Sequence, residues 1–377
     1  LEEPSAPKRT RLEEFWRLFR RNRMALAGMV IFALFLCSAV IGLALTSGDR
    51  PVFDPSQVRL PEKLLPPLSA AHLESLKPEE RPAFGIYLFG TDDLGRDVFA
   101  RMLQGAWVSL TVGFVAVGIS VAVGIFMGGL AGFYGQRHIH LEQLLVAAVL
   151  LTGAGLLASE LRSWGALLLA AGHAWLFWSV SPWGLQHRKK PLAGLGFLRK
   201  NTIMVDTVIM RFVDIMLCFP SFFLILTVVA LLPASIYNIM IVIGLTSWEG
   251  TARFVRAEFL SLREQDFVAA ARALGVGNLR IIFRHMMPNA VAPVLVSATI
   301  GIASAILTEA GLSFLGFGVP PPHATWGNIL SDGKRFIFDA PWLTFIPGAA
   351  ILVVVLSFNL FGEGLRDILN PRLRERH

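Results

Sequence analysis

The feature that most constrains this chain is the gathering of its apolar residues into long blocks. Residues 24–45 form the first block, 22 residues without a charged side chain. At about 1.5 Å per residue, a helix of that length crosses a hydrocarbon layer of about 30 Å. Further blocks at 108–130, 141–158, 164–183, 208–232, 236–248, 290–312 and 343–361 bring the candidate spans to eight. Glu142 interrupts the third early, and 236–248 is expected to run a few residues past each end. Hydrocarbon offers no partner to a backbone amide, so blocks of this length cross as helices. Composition agrees, with 54% apolar and only 16% charged residues; soluble domains carry about a quarter charged. The chain is therefore expected to be an all-α integral membrane protein.

Placement of charge sets the orientation. The net charge of +7 raises nucleic acid as a partner. The basic residues, however, sit in loops beside apolar blocks and form no binding stripe, so lipid is the expected partner and nucleic acid is not. With the N-terminus in the cytoplasm, inner segments hold 23 Lys and Arg and outer segments 10, seven of them in the long loop 46–106. Long loops weigh little in this rule, so both termini are expected to be cytoplasmic, as an even number of spans requires. Cys37 and Cys218 lie inside apolar blocks and are expected to be inert buried thiols. The first block follows a basic arm and has no small-residue cleavage site close behind it, so no cleavable signal peptide is expected.

The inner loop 249–289 is unusual. Asp266 can cap a short helix and Gly275 suits the left-handed position that ends one. Ala269, Ala270, Ala271 and Ala273 leave the helix between them little bulk, so a second protein could approach its backbone closely. Arg253, Arg256, Arg263, Arg272, Arg280 and Arg284 surround it, and Pro288 marks the return to the membrane. An ordinary helical connector would explain the alanines alone; the loop's length, its cytoplasmic side and the Gly-to-Pro spacing favour a docking helix.

At this point the sequence resembles the permeases of ABC importers, whose inner loop carries Glu-Ala-Ala, three residues, Gly, nine residues, then Ile-x-Leu-Pro. Ala270, Ala271, Gly275 and Pro288 match; Ala269, His285 and Met287 depart, though the family's peptide branch often lacks the Glu. Two longer stretches resemble the C-type permease of dipeptide and oligopeptide importers. One is Phe89-Gly90-Thr91-Asp92-Asp93-Leu94-Gly95-Arg96-Asp97 with Arg101, Gly105 and Ser109. The other begins at Gly311-Leu312-Ser313-Phe314-Leu315-Gly316 and passes Pro321-Pro322, Trp326-Gly327, Pro341-Trp342 and Pro347-Gly348. It ends at Asn359-Leu360-Phe361-Gly362-Glu363-Gly364-Leu365-Arg366-Asp367 and Asn370-Pro371. The resemblance covers residues 15–135 and 205–373.

The resemblance implies the MetI-like permease fold, with six core transmembrane helices. Residues 136–204 stand outside it and are expected to insert a two-span hairpin on the lipid-facing periphery, giving eight spans. The expected organisation is an arm at 1–23, the first span at 24–45 and an external loop with an interfacial helix at 46–107. A core span follows at 108–135, then the inserted hairpin with its basic return at 136–204. The core permease domain at 205–373 contains the coupling loop 249–289, and 374–377 is a tail. By resemblance the chain imports dipeptides or oligopeptides beside a homologous second permease, two ATPase subunits and an extracytoplasmic substrate-binding protein. ATP and Mg would be bound by the ATPases, with no cofactor in this chain. Asp266, Ala269, Ala270, Ala271, Arg272, Gly275 and Pro288 would couple hydrolysis to transport. Nickel or another chelated metal is the alternative cargo.

Other motifs were weighed against plainer readings. Asp92, Asp93 and Asp97 around Gly95 lack the alternation and closing Glu of a calcium loop. They read as the polar cap of an interfacial helix starting near Leu94, which would turn Val98, Phe99 and Met102 to the bilayer surface. His138 and His140 lack further ligands, His173 has no evident partner, and no metal site is expected. Gly275-Val276-Gly277 lacks the lysine of a phosphate loop. Arg211, Asp214 and Glu309 are charges inside spans, and such residues are candidates for a translocation path or gate. Arg211 and Asp214 are three apart and can pair on one helix face; Glu309 has no evident partner and could face the path or a neighbouring subunit. No nucleophile–base constellation stands out, so no catalytic residue is assigned and an intramembrane enzyme is the weaker rival reading.

Overall fold

The computed structural model describes residues 11–48, 51–136, 138–140, 149–150, 152, 166–173 and 201–369. It divides into two compact units, one of Leu1–Gly129 with Ile215–His377 and one of Leu130–Asp214.

The larger unit is a helical assembly. Helix α1 (Arg11–Arg21) leads through Asn22, whose Oδ1 accepts from the Ala25 amide at 3.1 Å, into α2 (Arg23–Thr46). That cap satisfies one of the amides a helix start leaves open. Phe19 of α1 is buried beside Ala25 and Ile368, edge-on to Phe361. α3 (Val98–Tyr134) is a single 37-residue helix, about 55 Å long. It replaces the separate interfacial helix and span expected there. Asp97 Oδ1 accepts the Phe99 amide at 2.8 Å and starts the helix, and no proline or cap interrupts the ladder afterwards. Val98 and Met102 are buried within the protein, and Phe99 packs its ring edge against Phe53 and Phe89. These side chains face the folded loop, not the bilayer surface.

The expected span 208–232 is broken. α4 (Val205–Cys218) and α5 (Ser221–Leu231) meet at 83° across Phe219 and Pro220. Proline supplies no amide and disfavours helix in the residue before it. α6 (Ile236–Leu245) is only 10 residues long and does not extend as expected; Thr246 ends it, its hydroxyl donating to the Val242 carbonyl at 2.7 Å. α7 (Glu249–Arg263) and α8 (Asp266–Ala273) form the connection that follows α6 and carries the candidate docking helix. A short helical stretch then leads through the π-helical turn Ile281–Met286 into α9 (Met287–Phe314). Pro288 sits in the first turn of α9, where no amide is needed. α10 (Trp326–Gly333) and α11 (Trp342–Leu369) complete the unit. Among the described residues, four helices are long and apolar enough to cross a membrane, or five if the bent pair counts as one span.

The core gathers α3, α5, α6, α9, α10 and α11 around buried Ile239, Ile243, Ile306, Leu312, Trp326 and Phe358. α2 lies along α11. Gly28 permits that approach: a Cβ there would stand 2.8 Å from the Ser357 carbonyl oxygen and the Phe361 amide. The loop before α3 is ordered, with β1 (Ser69–Ala70) paired antiparallel to β2 (Ile86–Tyr87) over buried Phe53, Leu76 and Tyr87. Both cysteines are free and are not covered by this chain, contrary to the expected burial. They sit on outward helix faces, because the apolar blocks holding them are apolar on every side.

In the smaller unit, β3 (His138–His140) pairs antiparallel with β4 (Asn201–Met204), so the two ends of the inserted block lie side by side. The expected spans 141–158 and 164–183, and the basic return after them, lie outside the described residues except for helical 149–150, 152 and 166–173. Within that last stretch, His173 Nδ1 lies 2.8 Å from the Leu169 carbonyl oxygen.

The α2–α11 contact gives a direct test. Gly28→Val should lower the thermal stability of the purified protein by about 1–3 kcal/mol through overpacking. Gly118→Ala, where a Cβ meets nothing within 4 Å, should not lower it. Equal melting of the two variants would contradict the close approach.

Candidate functional site

The loop expected to couple, residues 249–289, is built on α7, which buries Thr251, Ala252, Val255, Phe259 and Leu262. α8 begins one residue earlier than expected: Gln265 is the cap position, with no side-chain hydrogen bond, and Asp266 is the first helical residue. Its carboxylate still lies in the first turn, where the helix dipole favours negative charge. Val268 and Ala271 are buried, while Ala269, Ala270 and Arg272 are exposed. At the other end Gly275 adopts φ +73°. Its amide donates to the Arg272 carbonyl at 3.0 Å and the Val276 amide to that of Ala271 at 3.1 Å. This is the six-to-one and five-to-two pairing of a Schellman motif, which needs a residue tolerant of the left-handed region. Leu274, Leu279 and Phe283 stand exposed beyond it, at 83%, 69% and 64% of their full surface. The result is a small-sided helix edge flanked by uncovered apolar side chains.

A cavity of about 310 Å³ opens among α3, α5, α6, α7 and α9. Its walls combine Ile225, Ile243 and Ala305 with the hydroxyls of Ser120, Ser297 and Thr308. Ser120 donates to the Ser247 carbonyl at 2.8 Å, and the Thr251 and Ser297 hydroxyls lie 3.3 Å apart. Glu249, the first residue of α7, also lines it. Burial raises the pKa of Glu249, offset by its own backbone amide and by Arg253.

The three charges predicted inside spans fall apart. Glu309 is fully buried and has partners, which the sequence did not reveal. It accepts from the Ser313 hydroxyl at 2.7 Å and the Ser109 hydroxyl at 3.5 Å. Ser109 in turn accepts the Trp326 amide at 3.3 Å. Glu309 thus ties α9 to α3 and α10, and does not line the cavity. Arg211 and Asp214 lie on one face of α4 at 3.9 Å, exposed at 78% and 48%, where such pairs contribute little.

Sequence reasoning missed a second cluster. Asp92 is fully buried and accepts from Arg96 Nε at 2.7 Å and from a terminal Arg101 nitrogen at 2.6 Å. The Leu94 and Arg96 amides also donate to it, each at 2.9 Å. Both arginines reach Asp332, at 3.1 and 2.9 Å, and Arg101 also donates to Asn328 at 3.3 Å. Two hundred residues of sequence separate the two halves, so no local spacing could announce the pairing. The arginines border a second cavity of about 470 Å³, which includes Asp93, His323 and the Pro320–Pro322 turn. Burial raises the Asp93 pKa, with Asp92 and Asp332 adding to the effect.

The family model described as binding-protein-dependent transport system inner membrane component matches residues 192–375. The N-terminal TM domain of oligopeptide transport permease C matches residues 10–67. The chain is 34% identical to the dipeptide transport system permease protein DppC of Alkalihalophilus pseudofirmus, over 96% of this chain and 90% of that protein. It is 32% identical to the protein of the same name from Haemophilus influenzae, over 98% and 97%. With the oligopeptide transport system permease protein OppC of Bacillus subtilis it shares 29% identity, over 95% and 88%.

The buried ion cluster around Asp92 is open to test. Arg101→Met leaves buried Asp92 with one arginine and should lower thermal stability by about 3 kcal/mol. Arg211→Met, in an exposed pair, should leave it unchanged. Equal effects of the two substitutions would overturn the structural weight given to the buried cluster.

Proposed function

This chain belongs to the binding-protein-dependent transport system inner membrane components, in their oligopeptide permease C branch, and we propose that it imports dipeptides or oligopeptides as one half of an ATP-driven transmembrane pathway. Similarity along nearly the whole chain to permeases named for dipeptides and oligopeptides carries this reading. Those names do not favour nickel. The hydroxyl-lined cavity beside broken and short helices suits a path for polar cargo.

In this reading the chain is a transport subunit whose ATP and Mg are bound by two partner ATPases. A homologous second permease completes the pathway, and an extracytoplasmic binding protein delivers cargo. The exposed edge of α8, at Ala269, Ala270 and Arg272, receives the ATPase, with Leu274 and Gly275 beside it. Asp266 and Pro288 bound the loop that carries the motion. The spans number six in the core plus the inserted hairpin, with both termini in the cytoplasm; the excess of Lys and Arg in the inner segments supports this topology.

The assignment is tested in proteoliposomes holding the complete importer. Dipeptide uptake driven by ATP is expected, and stimulated hydrolysis without uptake of any di- or oligopeptide would overturn the cargo. Ala270→Glu should keep the permease pair assembled but release the ATPases or uncouple hydrolysis from uptake, because α8 has no room there for a long charged side chain against a partner. Normal coupled transport would remove α8 from that role. For topology, Glu74→Cys, in a background with Cys37 and Cys218 replaced by serine, should react with an impermeant thiol reagent from outside. Reaction only after the membrane is opened would reverse the orientation.

A further inference from the structure

Among the residues lining the 310 Å³ cavity, Glu249 is the one with an ionisable side chain. Its Oε2 is buried and has no hydrogen-bond partner among the described residues. An ionised carboxylate only accepts, and an acceptor left open in a partly dehydrated site is costly. Ser120, Ser247 and Thr251 line the same cavity. Ser120 already spends its proton on the Ser247 carbonyl, which leaves its oxygen as an acceptor. Arg253, one turn along α7, is exposed and does not line the cavity, although its charge reaches Glu249. The wall is thus rich in hydroxyl oxygens, includes apolar Ile225 and Ile243, and holds one carboxylate. Its volume lies at the lower end of small-ligand sites, about 300–1,000 Å³.

We propose that Glu249 and the hydroxyls around it form a cation subsite in the translocation path, which receives a protonated amine of the passing cargo. For a peptide that group is the α-ammonium, and its three donors match one carboxylate oxygen and two hydroxyl oxygens. The subsite rests on the transport reading above. It holds the amine without closing on it, since the contact is a single charge in an open, hydroxylated wall. The same charge disfavours cargo that presents an anion at this point of the path.

The test reads the charge of the cavity directly. In the complete importer, with Cys37 and Cys218 replaced by serine, Ser304→Cys places a thiol on the cavity wall. The rates of a trimethylammonium-ethyl and a sulfonato-ethyl methanethiosulfonate are compared with those for glutathione. The cationic reagent should be favoured about tenfold at pH 8, a typical focusing effect of a charged cleft. Adding Glu249→Gln should abolish the preference and Glu249→Asp should keep it. A shift of the thiol's own pKa affects both reagents alike and cancels in the ratio. If Glu249→Gln does not assemble, the preference with Glu249 intact still decides the matter. No preference, or a preference that survives Glu249→Gln, overturns the subsite, and so does a thiol inert to both reagents. Because the ratio needs no uptake, it stands or falls separately from the cargo assignment. Glu249→Gln should also raise the KM for uptake of a dipeptide with a free amine several-fold while the delivery protein's affinity stays the same.

Discussion

A chain in hydrocarbon must satisfy every backbone amide within its own helix, and the rest of this structure depends on that constraint. Where the helices are continuous, as in α2, α3, α9 and α11, they are also the apolar, membrane-length elements. Where they fail, the failures gather in one place. The bend at Phe219 and Pro220, the short α6 and the start of α7 all bring residues to the 310 Å³ cavity: Ser221, Ile243, Ser247 and Glu249. Lipid cannot receive the freed carbonyls and amides of a broken helix, but a polar cavity can. The breaks and the cavity are one solution to one problem.

A second consequence concerns attraction between helices. Lipid tails are as apolar as leucine, so burial from water does not hold spans together. Close backbone approach and polar contacts do. Gly28 lets α2 meet α11, and Gly244 lets α6 meet α3, where a Cβ would stand 2.7 Å from the Ala116 carbonyl. One group of polar contacts gathers around the starts of α3 and α10. Glu309 with Ser109 and Ser313 joins α9 and α3, and Asp92 with Arg96, Arg101 and Asp332 joins the loop before α3 to α10. A buried carboxylate that loses a partner is left with an uncompensated charge, so these contacts hold that part of the bundle in one arrangement.

How much of this the sequence disclosed depends on the range of the interaction concerned. The long spans were legible because hydropathy is local and cumulative; 24–45 emerged as Arg23–Thr46. Gly275 was legible because a left-handed cap is a property of one residue. Pro220 was equally visible, yet a window that sums hydropathy passes over a proline, so 208–232 read as one span. The interfacial helix was misread because its apolar side chains were assigned to lipid, while the ordered loop with Phe53 and Phe89 covers them. Ser313 stands one turn along from Glu309 and was open to helical spacing, whereas Ser109 stands 200 residues away and was not. The cavity, assembled from five helices, left no continuous trace at all.

The proposed coupling loop and the cavity are connected by a single element. α7 has Glu249 at its first residue, in the cavity wall, and ends at Arg263, two residues before α8. Fifteen residues of uninterrupted helix span about 22 Å. Its inner face is pinned: Gly124 of α3 leaves no room for a Cβ beside Thr251, at 2.6 Å, and Val255 and Phe259 are fully buried. A rigid helix packed along one side cannot lengthen or bend cheaply, so a displacement of α8 is passed on as rotation or sliding of α7 against α3. Either motion moves Glu249 relative to the hydroxyls of α3 and α9. The acceptor geometry of the cavity is then set by the position of the same loop that the ATPase is proposed to hold. In the proposed subsite, release of the amine requires no separate device: moving the Glu249 carboxylate relative to Ser120 of α3 is enough.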